Sequence, residues 1–316
     1  MVKHQINIKA IGILAFACFA ASFSAIFIRV CDDNPIIIAN FRLLFASIIL
    51  FPFWLSIVIK KKEKYFNPLK CRERSRPFPT NISEKKWYVL GVIIPGILMG
   101  LHFMTWIYAV KLTTVANATL IINIQIIIVP ILGFFFLKEH ITKWELLGVS
   151  LAFAGMLIVG LGDFQLEPQR FKGDLVTFLS TIFFALYILF GRRFRKKVSP
   201  NGDTTHLIEY IFPVYTIAFL FITLFCLIAG IGLKIRSWDS LFWIIMLALV
   251  PTIMGHSLLN WSLRYIKPQI VSLFILGEFP ISTILAYFLF YELPKHLFYI
   301  GAPLVVIGIV AALLKK

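Results

Sequence analysis

Residues 114–139, TVANATLIINIQIIIVPILGFFFLKE, and residues 267–292, KPQIVSLFILGEFPISTILAYFLFYE, decide the fold when they are set side by side. Each is an apolar run long enough to cross a hydrocarbon core of roughly 30 Å as a helix of about 20 residues. Each carries a polar side chain near its middle at the matching position, Gln125 in the first and Glu278 in the second, and each ends in a glutamate, Glu139 and Glu292. The separation is 153 residues throughout, and the same separation pairs Lys111 with Arg264, Tyr108 with Trp261, Gly148 with Gly301 and Gly155 with Gly308 without a gap. Coincidences among apolar residues are common in such a chain, whereas coincidences among glycines, glutamates and basic residues are not. Gly12 and Gly173 open the corresponding first helices at a slightly different separation. The chain therefore reads as two copies of one unit.

Working outward from this pair, ten apolar runs are expected to form transmembrane helices: 10–30, 36–59, 87–110, 114–137, 144–162, 173–191, 206–232, 241–263, 269–291 and 297–314. Lipid offers backbone N–H and C=O groups no partner, so helices are the default, and the short alternating strands of a barrel are missing. The first unit covers 1–163, with a polar loop at 60–86, and the second covers 170–316. Five spans per unit is an odd number, so the second copy enters the membrane from the opposite side. The expected fold is all-α integral membrane: ten transmembrane helices arranged as two inverted five-helix repeats around a central cavity. Such a pair offers two related conformations, open to opposite faces, which is the basis of alternating access.

Composition agrees with this reading: 59% of the 316 residues are hydrophobic and only 15% are charged, too few to cover a soluble domain. The net charge of +16 does not point to nucleic acid, because the basic residues sit in short clusters between apolar blocks, where they orient helices. With the N-terminus inside, the inside segments hold 23 of the 31 lysines and arginines and the outside segments hold six, while Arg29 and Arg42 fall within spans. Both termini are therefore expected in the cytoplasm. The longest polar stretch, Lys60 to Lys86, reads as a solvated cytoplasmic loop, irregular at Arg76-Pro77-Phe78-Pro79. Lys3 and Lys9 precede an apolar run that continues to Val30, longer than a signal-peptide core, so it reads as a true span. The four cysteines, Cys18, Cys31, Cys71 and Cys226, form no CxxC pair and no metal-ligand spacing. No disulfide, metal or cofactor is expected.

Polar side chains at membrane depth are costly and normally face the bundle interior or a water-filled cavity. His102 and Trp106 are four residues apart and share one face of the third span; His256 and Asn260 do the same on the eighth. Imidazole and indole suit a zwitterionic or aromatic ligand, although interhelical hydrogen bonding explains such residues equally well. Trp261, Gln125, Asn117 and Tyr187 complete the candidate binding set, with Asn123 a weaker member. Glu278, in the middle of the ninth span, is the candidate proton-coupling group, with a hydrogen-bonded helix break as the alternative. Arg42 is expected to make an internal structural pair, or else to bind a carboxylate through its planar fork. Gly96-Ile97-Leu98-Met99-Gly100 is a GxxxG, read here as tight packing within the bundle.

Several motifs resemble the EamA-type branch of the drug/metabolite transporter superfamily. They are Asn40-Phe41-Arg42-Leu43-Leu44, Leu101-His102-Phe103-Met104-Thr105-Trp106, Leu137-Lys138-Glu139, Gly191-Arg192-Arg193, the run from Gly255 to Tyr265, Leu276-Gly277-Glu278 and Tyr291-Glu292. The likeness runs through nearly the whole chain and implies export, or sometimes uptake, of amino acids or related metabolites across the inner membrane. Members of that branch commonly place proline directly after the polar residue of spans four and nine. Here Ile126 follows Gln125, and Phe279 stands between Glu278 and Pro280, so the helix breaks are expected elsewhere. No GxxxxGK[ST] phosphate loop is present, so coupling falls to protons, exchange or the solute gradient. No HExxH or aspartate-rich motif supports a membrane enzyme, and the Asp32-Asp33 pair is placed in an external turn. The expected partners are a small-molecule metabolite, the lipid bilayer and protons, in a monomer or homodimer. The alternative on the same fold is a lipid or lipid-precursor flippase.

Overall fold

A computed structural model describes residues 8–66, 89–113, 115–163, 170–196, 207–291 and 293–314. Among them, nine helical segments are long and apolar enough to cross a membrane. The tenth span, Phe298–Leu313, has 16 residues and is about 24 Å long at the α-helical rise. The fold is the expected one, ten helices in two five-helix repeats. Its burial pattern is that of a membrane protein. Ile131, Phe134, Phe135 and Phe136 lie exposed on the outside, whereas Asn40, Arg42, Asn117, Gln125, Thr181 and Asn260 lie buried inside. The apolar surface meets lipid, and the polar groups find partners in the interior.

Several spans are interrupted. Span one is Ile8–Ala21 followed by Phe23–Val30, and span eight runs from Trp238–Leu247 through a π-helical stretch, Ala248–His256, into Ser257–Ser262. Pro251 stands in that stretch without an N–H to donate, and the wider winding is marked by hydroxyl bonds five residues back: Thr252 Oγ1 to the Leu247 carbonyl (2.7 Å) and Ser257 Oγ to the Thr252 carbonyl (3.3 Å). Span four breaks between Val115–Ile122 and Gln125–Leu137, and span nine between Pro268–Leu276 and Glu278–Phe290. The breaks thus fall immediately before Gln125 and Glu278, not elsewhere as the displaced prolines suggested. The residues at the two breaks, Asn123 and Gly277, are poor helix formers in their own right.

The two repeats share more than sequence. Lys138 (φ 54°) and Tyr291 (φ 57°), at matching repeat positions, both end their helices in the left-handed conformation, and among the described residues no other non-glycine does so. Span five, Lys143–Asp163, crosses span ten through a reciprocal glycine contact. A Cβ on Gly148 would stand 2.5 Å from the Gly308 carbonyl, and one on Gly308 would stand 2.6 Å from the Gly148 carbonyl; Gly155 and Gly301 meet in the same way at 2.5 and 2.4 Å. Each glycine thus packs against the repeat partner of its neighbour, as a two-fold axis between antiparallel copies requires. Gly96 and Gly100 bring span three, Ile94–Leu112, against Val214, Ile217 and Ala218 of span seven, Leu207–Ile228. The GxxxG therefore serves packing within the bundle.

Some boundaries differ from the expected ones. Span two continues as helix from Pro35 to Phe66, so the loop expected from Lys60 begins helical. Lys and Glu are good helix formers, and no Gly or Pro stands between Lys60 and Pro68. Span six likewise runs on from Phe171 to Lys196. Span seven stops at Ile228 rather than 232, because Gly230 takes a left-handed turn at φ 67°. Residues 67–86, with the Arg76-Pro77-Phe78-Pro79 stretch, together with Cys71 and Glu292, lie outside the described residues.

Candidate functional site

A cavity of about 550 Å³ opens between the two repeats at the end where spans one, three and nine finish. Arg29, Lys111 and Lys295 stand at its rim, and Trp106, Phe279, Phe290 and Phe298 give it an aromatic wall. A deeper chamber of about 100 Å³ shares Ala25, Trp106, Phe279 and Ser282 with it. The floor of that chamber gathers His102, Asn123, Gln125, His256 and Glu278 with Ser22 and Ser24. The chamber therefore sits at the helix breaks of spans four and nine, where both repeats contribute one polar residue at the same position.

The floor is held by specific contacts. His102 Nδ1 pairs with Ser180 Oγ on span six at 2.9 Å, and Ser180 in turn donates to the His102 carbonyl at 3.1 Å. The His102 ring stacks on Phe184 with centroids 4.5 Å apart. His256 meets the Phe103 ring edge-on at 5.1 Å, and among the described residues its Nδ1 has no hydrogen-bond partner, nor has Gln125 Oε1. Buried polar atoms are normally satisfied, so these two are open for a bound molecule or water.

Arg42 lies fully buried on span two, behind this floor. Its Nε donates to Thr252 Oγ1 at 2.6 Å and its Nη1 to Ser24 Oγ at 3.3 Å, and its guanidinium covers the Phe103 ring at 4.1 Å. The internal pairing expected for Arg42 is thus made with hydroxyls and an aromatic ring rather than a carboxylate, and among the described residues Nη2 has no partner.

The other sequence candidates are placed away from the cavity lining. Asn260 donates to the Tyr187 hydroxyl and to the His256 carbonyl (2.8 Å), which ties span eight to span six. His256 lines the chamber, whereas Asn260, one α-helical turn further along span eight, lies outside that lining. Tyr187 is buried in the same junction. Trp261 packs on Tyr265 at 4.6 Å. Asn117 donates to both oxygens of Asp174 at 3.3 Å, beside Thr113, whose Oγ1 reaches Asp174 at 2.6 Å. Sequence reading missed Ser24, Phe184, Phe279 and Ser282. Ser282 lies one turn beyond Glu278 on the same helix, and carrying that face one turn along would have found it.

The opposite end of the bundle is sealed by ion pairs between the repeats. Glu139, at the end of span four, accepts from Arg192 of span six at 2.9 Å, with side-chain exposures of only 8% and 6%. Arg192 Nη1 also donates to the Leu263 carbonyl of span eight at 2.6 Å. Lys267 pairs with Glu145 at 2.9 Å and donates to the His140 carbonyl at 3.0 Å. At the open end, the Asp32-Asp33 turn engages Arg236, whose N–H donates to Asp33 at 2.8 Å.

The family model described as EamA-like transporter family matches residues 8–161 and again 171–314. This chain belongs to that family. As an EamA-like member it is a multi-pass membrane transporter of small molecules. An uncharacterized transporter of Bacillus subtilis (strain 168), YyaM, is 28% identical over 232 residues, 72% of each chain. An uncharacterized transporter of Archaeoglobus fulgidus is 24% identical over 300 residues, covering 94% of this chain and 93% of that one. One solved crystal structure superposes with a TM-score of 0.74 over 97% of both chains at 14% identity, a likeness of fold alone.

Proposed function

We propose that this EamA-like protein is a secondary transporter that exports amino acids or related small metabolites across the inner membrane by alternating access. The observation that carries this reading is a cavity with a polar floor at the paired helix breaks, open at one end and sealed at the other by Arg192–Glu139. The excess of basic residues in the segments between spans favours cytoplasmic termini. With that orientation the cavity faces outward and the ion pairs close the cytoplasmic side. His102, Gln125, His256 and Trp106 contact the cargo, and Glu278 carries the coupling proton. The test is flux of a metabolite panel in proteoliposomes with and without a pH gradient. At least one amino acid or related metabolite is carried by the wild type, and a panel with no protein-dependent flux contradicts the reading.

Glu278→Gln removes the titrating oxygen and keeps the side chain's shape. Downhill exchange is expected to continue in this variant while acceleration by a pH gradient disappears. Pyranine-reported proton movement with counter-labelled metabolite flux reads both, and gradient-driven flux equal to wild type would exclude Glu278 as the coupling group.

A further inference from the structure

Charge is distributed unevenly along the cavity. Among its described lining residues the cations are Arg29, Lys111 and Lys295 at the rim, and the one carboxylate is Glu278 at the floor. Glu292, adjacent in sequence to the rim residue Leu293, lies outside the described residues and leaves the balance positive. A mouth of this kind concentrates anions. Between rim and floor the wall is aromatic, and it suits an apolar body rather than a strongly hydrated one.

Two groups of opposite sign stand at the floor and directly behind it, Glu278 in the lining and Arg42 behind it. Arg42 is fully buried and keeps Nη2 without a partner, although Nε, Nη1 and the guanidinium face are all engaged. An unused guanidinium N–H in a buried site is a strong donor waiting for an oxygen acceptor. The residues that position it, Ser24 and Phe103, also line the chamber. Glu278 lies within electrostatic range of Arg42 but makes no hydrogen bond to it. The other titratable groups around Glu278 are His102 and His256 across the chamber and Cys18 on span one, all buried. None of these is a fixed cation, so among the described residues Arg42, behind the floor, is the one cation that answers for negative charge here. Two carboxylates beside one guanidinium in a site largely closed to water repel each other.

We propose that the cargo is an organic carboxylate with an apolar body, and that Arg42 receives it only when Glu278 holds a proton. The assignment rests on the cavity being the transport path and names the solute class of that same site. The step balances: a proton from the solution on whichever side the chamber then faces, the cytoplasmic side during export, joins a Glu278 oxygen as the solute carboxylate joins Arg42 Nη2. When the solute leaves on the other side the proton leaves with it. Solute anion and proton travel together, and no net charge moves.

The test uses purified full-length protein and three probes of one shape, hydrocinnamate (anion), phenylalanine (zwitterion) and phenethylamine (cation), titrated by tryptophan fluorescence. Loss of the signal in Trp106→Phe assigns it to the cavity. Hydrocinnamate is expected to bind and phenethylamine not. Hydrocinnamate affinity should fall by up to about tenfold per pH unit on the alkaline side, the slope of one linked proton, with proton uptake seen by an indicator dye in weak buffer. Glu278→Gln should bind hydrocinnamate tightly at every pH and take up no proton. Arg42→Gln should lose the anion, and Arg42→Lys, which keeps the buried charge, should retain part of it if Arg42→Gln folds poorly. Preference for the amine, failure of hydrocinnamate to bind, or a wild-type pH slope in Glu278→Gln overturns the proposal. Carrier function is judged separately by the metabolite flux above, so protein-dependent flux together with amine preference discards the solute class and keeps the transporter.

Discussion

Arg192→Gln is expected to open the sealed end of the bundle. Glu139 belongs to the first repeat and Arg192 to the second, so this pair must part whenever that end opens. Removing the guanidinium leaves the Glu139 carboxylate, 8% exposed, facing a neutral amide. Breaking a buried pair on one side typically costs about 3–5 kcal/mol, which bears on the closed end and not on the open one. The two-state balance then shifts by roughly a hundredfold or more toward the inward-open form. The measurement is maleimide labelling of Ser262→Cys, a buried position on span eight, in a background without Cys18, Cys31, Cys71 and Cys226. In inside-out vesicles the labelling rate should rise with Arg192→Gln and fall back in the charge-exchanged double variant Arg192→Glu/Glu139→Arg. A rate unchanged by Arg192→Gln would remove the pair from the gate. Lys267→Met should have a smaller effect, on the order of 1 kcal/mol, because Lys267 is partly exposed and water screens it.

The second large effect is expected from the glycine crossing of spans five and ten. In Gly155→Val the new Cβ meets a backbone carbonyl at 2.5 Å, and in Gly301→Val at 2.4 Å. A flexible side chain would move away from such a contact, but here the obstacle is the opposite helix itself. Overpacking usually costs about 1–3 kcal/mol, and two backbones that must separate place these variants at the upper end. The folded fraction after detergent extraction, read by size-exclusion fluorescence and thermal melting, should drop sharply for both. Gly12→Ala, where nothing stands within 4 Å of the added carbon, should behave as wild type. A Gly155→Val protein that melts with the wild type would mean that the two helices do not cross at these glycines.

The repeat was legible because glycines, glutamates and basic residues are sparse enough for a constant spacing to stand out. Gly148 and Gly301 could be recognised as equivalent in this way. That Gly148 packs against Gly308 and Gly301 against Gly155 could not, since equivalence says nothing about contact. The helix breaks were misread because proline was taken as their marker, whereas Asn123 and Gly277 do the same work by weak helix propensity. Of the polar residues read as one set, His102, Trp106, Gln125, His256 and Glu278 meet at the chamber. Asn117 instead bonds Asp174, and Asn260 bonds Tyr187, between helices. A buried amide looks the same in sequence whether a ligand or a neighbouring helix answers it. Asn260 stands one turn beyond His256 on span eight, where the Tyr187 hydroxyl of span six answers its amide.

The central claim is that one chamber is reached from opposite sides of the membrane in turn, and Ser282→Cys tests it most directly. Ser282 lines both the outer cavity and the deeper chamber. An impermeant thiol reagent should reach this cysteine from the outside in the otherwise native protein, and from the inside once Arg192→Gln is added. Labelling from one side alone in both proteins, or only by a lipid-soluble reagent, would contradict the account.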